Sequence, residues 1–280
     1  MSSLATFKKL QPEEYLRQHY EQGLRPDGRK GLNSLRPISI SVNSVSTADG
    51  SAVVKQGDTV IICGIKLEIA TPKDETPDHG YIVPNLSLGP ICHSKFRPGP
   101  PCDLAQTASQ FLLETITNSD IIKPEDLCIL RGKYAWCIYA DLVCLNYDGN
   151  ILDTSLKALI SALKTMKLPK TKIVEMENDE FNLEVDPEER VAFKLGTKLP
   201  TSCTMSIFGD NLLLDPTDEE EEQSEACVTV VLNSDNELCH VHKPGGIGIS
   251  PEKLQQCISV AKKNSKHMQK LIESASKAMK

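Results

Sequence analysis

The chain has no apolar run approaching the ~18 residues of a membrane-spanning helix, and its first residues, MSSLATFKKLQPEEYL, lack the continuous apolar segment of a secretory leader. A soluble, non-exported protein is expected. Its ten cysteines include no Cys-x-x-Cys pair, and several sit in strand-like apolar runs such as Trp136-Cys137-Ile138. That pattern argues against a disulfide framework and for reduced, buried thiols in a cytosolic or nuclear compartment. Positive charge is also scarce: 31 basic against 38 acidic residues leave a net charge of -7. Such a chain lacks the basic footprint of an autonomous nucleic-acid binder, so any RNA contact must be local or shared with partner chains. No Gly-x-Ser-x-Gly, Gly-x-Gly-x-x-Gly or Walker loop occurs.

What is present is 280 residues, 40% of them hydrophobic, enough to bury a substantial core. Residues 11–22 read as a short helix ending before Arg25-Pro26-Asp27-Gly28-Arg29, a turn whose two arginines are candidates for contacts. From Ile38 to Ile69 β-branched blocks alternate with Asp49-Gly50-Ser51 and Gln56-Gly57-Asp58, the pattern of antiparallel strands joined by short turns. The Pro- and Gly-rich stretch 71–101 reads as irregular. A helix follows over about 103–117, with Asp103 as its cap, then strands at 127–130 and 133–145. Asp148-Gly149-Asn150 is a turn, and Leu152, Leu156, Leu159, Ile160 and Leu163 take up helical spacing after it. The second half repeats the plan, with strands near 171–174, 191–195, 204–208, 211–214, 226–232 and 237–241 and a long helix from Pro251. Strand blocks followed by helices, given twice, predict an α+β architecture: one domain, 1–280, of two related βα halves, about 1–170 and 171–280.

Several stretches invite chemistry. A strand-to-helix turn such as Asp148-Gly149-Asn150 is where helix N–H groups and the helix dipole can hold phosphate. Lys243-Pro244-Gly245-Gly246-Ile247-Gly248 superficially resembles a phosphate cradle but has the wrong spacing, and reads as a flexible connector. His240 and His242 can share one strand face, yet no second ligand cluster accompanies them, and neither a metal nor a cofactor is expected. The carboxylate run 218–222 reads as a solvated loop whose charges repel one another. His93-Ser94-Lys95-Phe96-Arg97 combines two cations with an aromatic in a segment expected to be exposed. Lys95 and Arg97 are therefore the RNA-contact candidates.

Taken in order, Arg25-Pro26-Asp27-Gly28-Arg29, Asp49-Gly50-Ser51-Ala52 with Gly57-Asp58-Thr59-Val60, Tyr147-Asp148-Gly149-Asn150, Asp215-Pro216-Thr217 with its acidic tail, and Lys243-Pro244-Gly245-Gly246 resemble the RNase PH-like subunits of the RNA exosome over nearly the whole chain. The resemblance implies the RNase PH-like fold and a place in a six-membered ring of such chains, capped by S1 or KH domain subunits. It also implies 3′-end RNA processing and decay, including rRNA maturation and mRNA turnover, in nucleus, nucleolus and cytoplasm.

Catalytic members carry, after the Asp-Gly turn, a Gly, a Ser or Thr and an Arg that grip the attacking phosphate; here Asn150, Ile151 and Leu152 align with them. An apolar pair cannot donate hydrogen bonds to phosphate, and Asp153 next to it would repel an anion. Those members also place an Asp after a Glu-Ala pair for proton transfer, where this chain has Glu225-Ala226-Cys227. No catalytic residue is assigned, and a non-catalytic structural ring subunit is expected. The alternatives are an active phosphate-dependent exoribonuclease with a divergent site and, against the charge balance, a free-standing RNA-binding module.

Overall fold

A computed structural model describes residues 3–175 and 181–277. The chain begins with α1 (Ser3–Leu10) and α2 (Pro12–Glu21) and then lays down β1 (Ile38–Val42), β2 (Gly50–Gln56), β3 (Thr59–Ala70) and β4 (Tyr81–Ser87). After α3 (Asp103–Ser119) come β5 (Cys128–Leu130), β6 (Tyr134–Asn146) and α4 (Ile151–Thr165). A hairpin of β7 (Lys167–Glu175) and β8 (Phe181–Ala192) leads to β9 (Thr201–Phe208), β10 (Asn211–Leu214), α5 (Asp218–Glu222), β11 (Ala226–Leu232), β12 (Leu238–His242) and α6 (Pro251–Lys277).

The first sheet has the order β1-β2-β3-β6-β4, with β5 paired to the start of β6. Every pairing in it is antiparallel except β4 with β6. Alternation along β3 buries Ile61, Cys63 and Ile65, which join Leu142, Phe111, Leu112 and Leu156 in one core beneath α3 and α4. The second sheet runs β10-β9-β11-β12, all antiparallel, and α6 covers it with Cys257 and Ala261 against Met205, Ile207, Val228 and Val230. Between the two lies α4, buried from Asp153 to Leu163 because β2 and β3 flank it on one side and β9 and α6 on the other. A helix enclosed on all sides must find partners for its polar groups, and that requirement builds the site described below.

Two expectations about the fold are corrected. The stretch 71–101 is not wholly irregular, because Tyr81–Ser87 forms β4, parallel to β6. Pro84 and Asn85 hide it from pattern reading, but an edge strand tolerates proline, and the Leu86 N–H is satisfied by Ser109 Oγ of α3 at 2.9 Å. The strand expected at 191–195 is instead the end of β8, which runs from Phe181 to Ala192. In contrast, β10 and β11 occupy the expected residues.

Candidate functional site

The end of β6 delivers Tyr147, and the chain turns into α4 with Gly149 at φ 71° and Asn150 at φ 50°. Gly149 is required by contact as well as by angle: a Cβ there would lie 2.5 Å from the Thr217 carbonyl carbon. Thr59 Oγ1 donates to the Gly149 carbonyl at 2.7 Å and accepts from the Asp148 N–H at 3.1 Å. Arg36 Nη1 reaches Asp148 Oδ2 at 3.1 Å. The turn is thus held by a strand, a preceding loop and the segment 216–218.

At the start of α4 the chain places one of its own carboxylates. Glu221 Oε1 accepts the Asn150 N–H at 2.8 Å, and Oε2 accepts the Tyr147 hydroxyl at 3.1 Å. Burial raises the Glu221 pKa to about 7, with the two hydrogen bonds pulling against it and the neighbouring Asp218 adding to it. Ile151 is buried, and Leu152 packs against the main core. The expectation that Asp153 repels an anion at the turn is corrected. Its carboxylate points away into the second half, accepting the Thr204 N–H at 2.9 Å and the Thr204 hydroxyl at 2.8 Å.

Cys227 lies on β11 opposite Ser206, with its Sγ 3.4 Å from Ser224 Oγ. Burial pushes its thiol up to about 11, so it stays protonated at neutral pH.

The loop before α3 is not laid out as an exposed stacking platform. Phe96 is buried edge-on against Tyr147, ring centroids 5.3 Å apart. Lys95 Nζ forms a close ion pair with Asp218 and sits 4.2 Å from the Tyr147 ring centroid, so its charge is used internally. Arg97 is exposed and makes no ion pair among the described residues.

The acidic run is also corrected: Asp218–Glu222 is helix α5, opened by a capping box between Thr217 and Glu220. Glu220 is buried with Arg25, which donates from Nε at 2.9 Å and from Nη2, and Tyr20 adds a bond at 3.3 Å. Arg29 donates to the Asp215 carbonyl at 3.0 Å. Both arginines of the Pro-Asp-Gly turn are therefore fold contacts. No loop can solvate this run, because two of its carboxylates face inward.

Sequence reasoning missed the buried centre of this network. Asp215 receives the Arg36 N–H and Nη2, both at 2.8 Å, Gln56 Nε2 at 2.8 Å and Asn150 Nδ2 at 2.6 Å. Burial alone would raise its pKa, but Arg36 and Asn150 outweigh that and hold it at about 2. Lys157, buried on α4, donates to Gln56 Oε1 at 2.9 Å. The motif Asp215-Pro216-Thr217 was the available signal; its partners lie far away in sequence.

His240 and His242 do share a face, packed on Phe111 with centroids 5.5 and 5.3 Å away. No group of three or more metal-ligating side chains exists among the described residues. The 243–248 segment is no loose connector: Gly246, at φ 80°, is pressed against Glu225 and Ala226, and the Ile247 N–H bonds the Glu225 carbonyl at 3.2 Å.

Comparison with known proteins matches this arrangement as a whole. Residues 34–169 fit the model of the 3′ exoribonuclease family, domain 1, and residues 198–264 fit domain 2 of the same family. The chain is 46% identical over 256 residues to the exosome complex component rrp43 of Schizosaccharomyces pombe, covering 91% of this chain and 93% of that one. It is 33% identical to the exosome complex component Rrp42 of Methanopyrus kandleri, over 90% and 91% of the two chains. A chain from the structure described as "archaeoglobus fulgidus exosome with RNA bound to the active site" superposes with a TM-score of 0.81 at 28% identity, over 92% of this chain and 96% of that one. One from "Archaeal exosome core" gives 0.76 at 27%, over 92% and 95%. With both domain models and full-length relatives in agreement, the chain belongs to the RNase PH family of 3′ exoribonucleases.

Proposed function

We propose that the chain is a non-catalytic subunit of an exosome core ring, which assembles with other RNase PH-like chains and leaves phosphorolysis to them. The observation that carries this reading is the start of α4. There the donors that phosphate needs are replaced by Ile151 and Leu152, and the Asn150 N–H is already taken by the Glu221 carboxylate. A phosphate brought to this point would meet a carboxylate instead of an arginine. Cys227, held protonated by burial, adds no proton-transfer group. In this reading the subunit supports S1 or KH domain cap chains and helps line an RNA channel. It does so in nucleus, nucleolus and cytoplasm, in rRNA maturation and mRNA turnover.

The test is incubation of the purified chain with 3′-tailed RNA and inorganic phosphate. No nucleoside diphosphate above a phosphate-free control is expected, and its release overturns the non-catalytic assignment. Native mass spectrometry of the endogenous assembly tests the ring. A particle containing several RNase PH-like chains is expected, and finding this chain only as a monomer overturns that part.

A further inference from the structure

Helix α6 runs for 27 residues, and the side that meets the rest of the chain is apolar, with Cys257, Ala261, Met268 and Ile272 buried. Its opposite side carries charge of one sign. The helix holds six lysines against two glutamates in a chain whose net charge is -7, and no acidic residue occurs between Glu252 and Glu273. Lys262, Lys263, Lys266 and Lys270 are exposed and form no ion pair among the described residues. At the helical repeat they fall within a sector of about 100°, on the side away from Ala261. Lys263 also borders a groove lined by Asp210 and Glu252, so the row proper is the other three, about 12 Å long from Lys262 to Lys270.

The helix itself gains nothing from this arrangement. Like charges four residues apart repel, as Lys262 does with Lys266 and Lys266 with Lys270, whereas a glutamate four residues before a lysine would stabilise the same turn. The helix dipole favours cations only in the last turn, and all four lysines precede it. Solvation lets the row exist but does not account for the missing acids. A polyanion fits it, and two observations select RNA over an acidic protein. Protein interfaces are built around apolar or aromatic anchors and are depleted in lysine, and no large hydrophobic residue is exposed on α6 among the described residues. A phosphate backbone needs only cations, set along a line. We propose that the outer face of α6 is a docking strip for the phosphate backbone of single-stranded RNA, held by Lys262, Lys266 and Lys270. Helix α6 contains no Phe, Tyr or Trp to stack a base, so the contact reads charge and not sequence. The inference goes beyond the ring reading and stands without it, because the strip belongs to this chain alone.

The test measures binding of the full chain to a fluorescein-labelled oligouridylate by fluorescence anisotropy, over a range of salt concentrations. Combining Lys262→Gln, Lys266→Gln and Lys270→Gln should weaken binding about five-fold or more at ~50 mM salt. It should also reduce the slope of log affinity against log salt by about 2, since each phosphate contact on a single strand contributes about 0.7. Lys→Arg at the same three positions keeps the charge and should bind as the native chain does. A control combining Lys73→Gln, Lys123→Gln and Lys172→Gln makes the same change in net charge at other exposed sites and should stay within about two-fold of the native affinity. A native chain that does not bind at ~50 mM salt, an affinity retained in the α6 Gln variant, or an equal loss in the control overturns the proposal. So does an α6 Gln variant that binds RNA normally but loses a partner chain from the endogenous assembly, which would assign the strip to an acidic protein. Because RNA binding is read on the free chain, its failure leaves the ring assignment untouched.

Discussion

Replacing Asp215 with Asn tests whether the polar centre between the two halves is a stabilising network or merely a tolerated one. Asn suits the backbone, because Asp215 sits at φ 53°, a conformation Asn accepts. It does not suit the partners. Asp215 Oδ2 accepts both the Arg36 N–H at 2.8 Å and Arg36 Nε at 3.1 Å, while Oδ1 accepts Arg36 Nη2, Gln56 and Asn150. An amide places an NH2 group against donors on one side and leaves the buried Arg36 with only the more exposed Asp148 as a counter-charge. Breaking a buried pair from one side costs about 3–5 kcal/mol, which at this chain length lowers Tm by roughly 6–10 °C. Linkage gives an independent figure: a folded pKa of about 2 against an ordinary 3.8 corresponds to about 2.4 kcal/mol. Because the folded pKa is depressed, that contribution is present above pH 3.8 and disappears as pH falls towards 2. Urea unfolding at pH 7 should therefore show a loss of about 3 kcal/mol or more in Asp215→Asn, and the gap to the native chain should close as pH falls from about 5 to 2. In the cycle with Arg36→Met, the double variant should lose at least about 1 kcal/mol less than the two single losses combined. A loss below about 1 kcal/mol at pH 7, or a gap that does not narrow in acid, refutes the reasoning.

Gly246→Ala should cost about 2–4 kcal/mol in the same assay, because its Cβ would meet the Glu225 carbonyl oxygen at 2.3 Å from a backbone at φ 80°. Gly248→Ala, with open space around it, should stay within about 0.5 kcal/mol, and equal effects at the two sites would sink the packing argument. In the assembled core, Arg97→Ala should reduce RNA crosslinking to this chain while Lys95→Met leaves it unchanged, since of these two cations Arg97 alone has no ion pair among the described residues. Lys95→Met should instead lower stability by about 1 kcal/mol through the loss of its Asp218 and Tyr147 contacts, and a fall in crosslinking with Lys95→Met alone would reverse that assignment.

Local signals in the sequence were strong where one element decides its own fate. The helical spacing after Asp148, the Asp103 start of α3 and the Pro251 start of α6 all reappear in the structure. They rest on periodicity within a few residues, but the cap role expected of Asp103 is corrected: Cys102 holds the N-cap position without a side-chain bond, and Asp103 is the first residue of the helix. What stayed hidden depends on partners far along the chain. Five carboxylates in a row look solvated until Arg25, from the turn after α2, is placed against Glu220. Phe96 looks exposed in its proline-rich loop until Tyr147 closes over it. Strand β4 is written with Pro84 and Asn85 and is a strand only because β6 offers it an edge. The Arg36–Asp215 pair joins residues 179 positions apart, a distance no local pattern encodes.

That dependence explains the shape of the turn before α4 without any bound ligand. Asp148 is fixed by Arg36, and Gly149 by the backbone of Thr217 and by Thr59. Asn150 is fixed by Asp215, Asp153 and Glu221. Each residue of the turn thus answers to the packing of α5 and of the second half against α4, and a change at any of them would disturb that junction. Ile151 and Leu152 answer only to the core, where an apolar side chain is favoured over a charged one by burial alone. Packing alone therefore accounts for the Asp-Gly-Asn turn. Ile151 and Leu152 are set by the apolar core instead, and the carboxylate at the helix start is the chain's own.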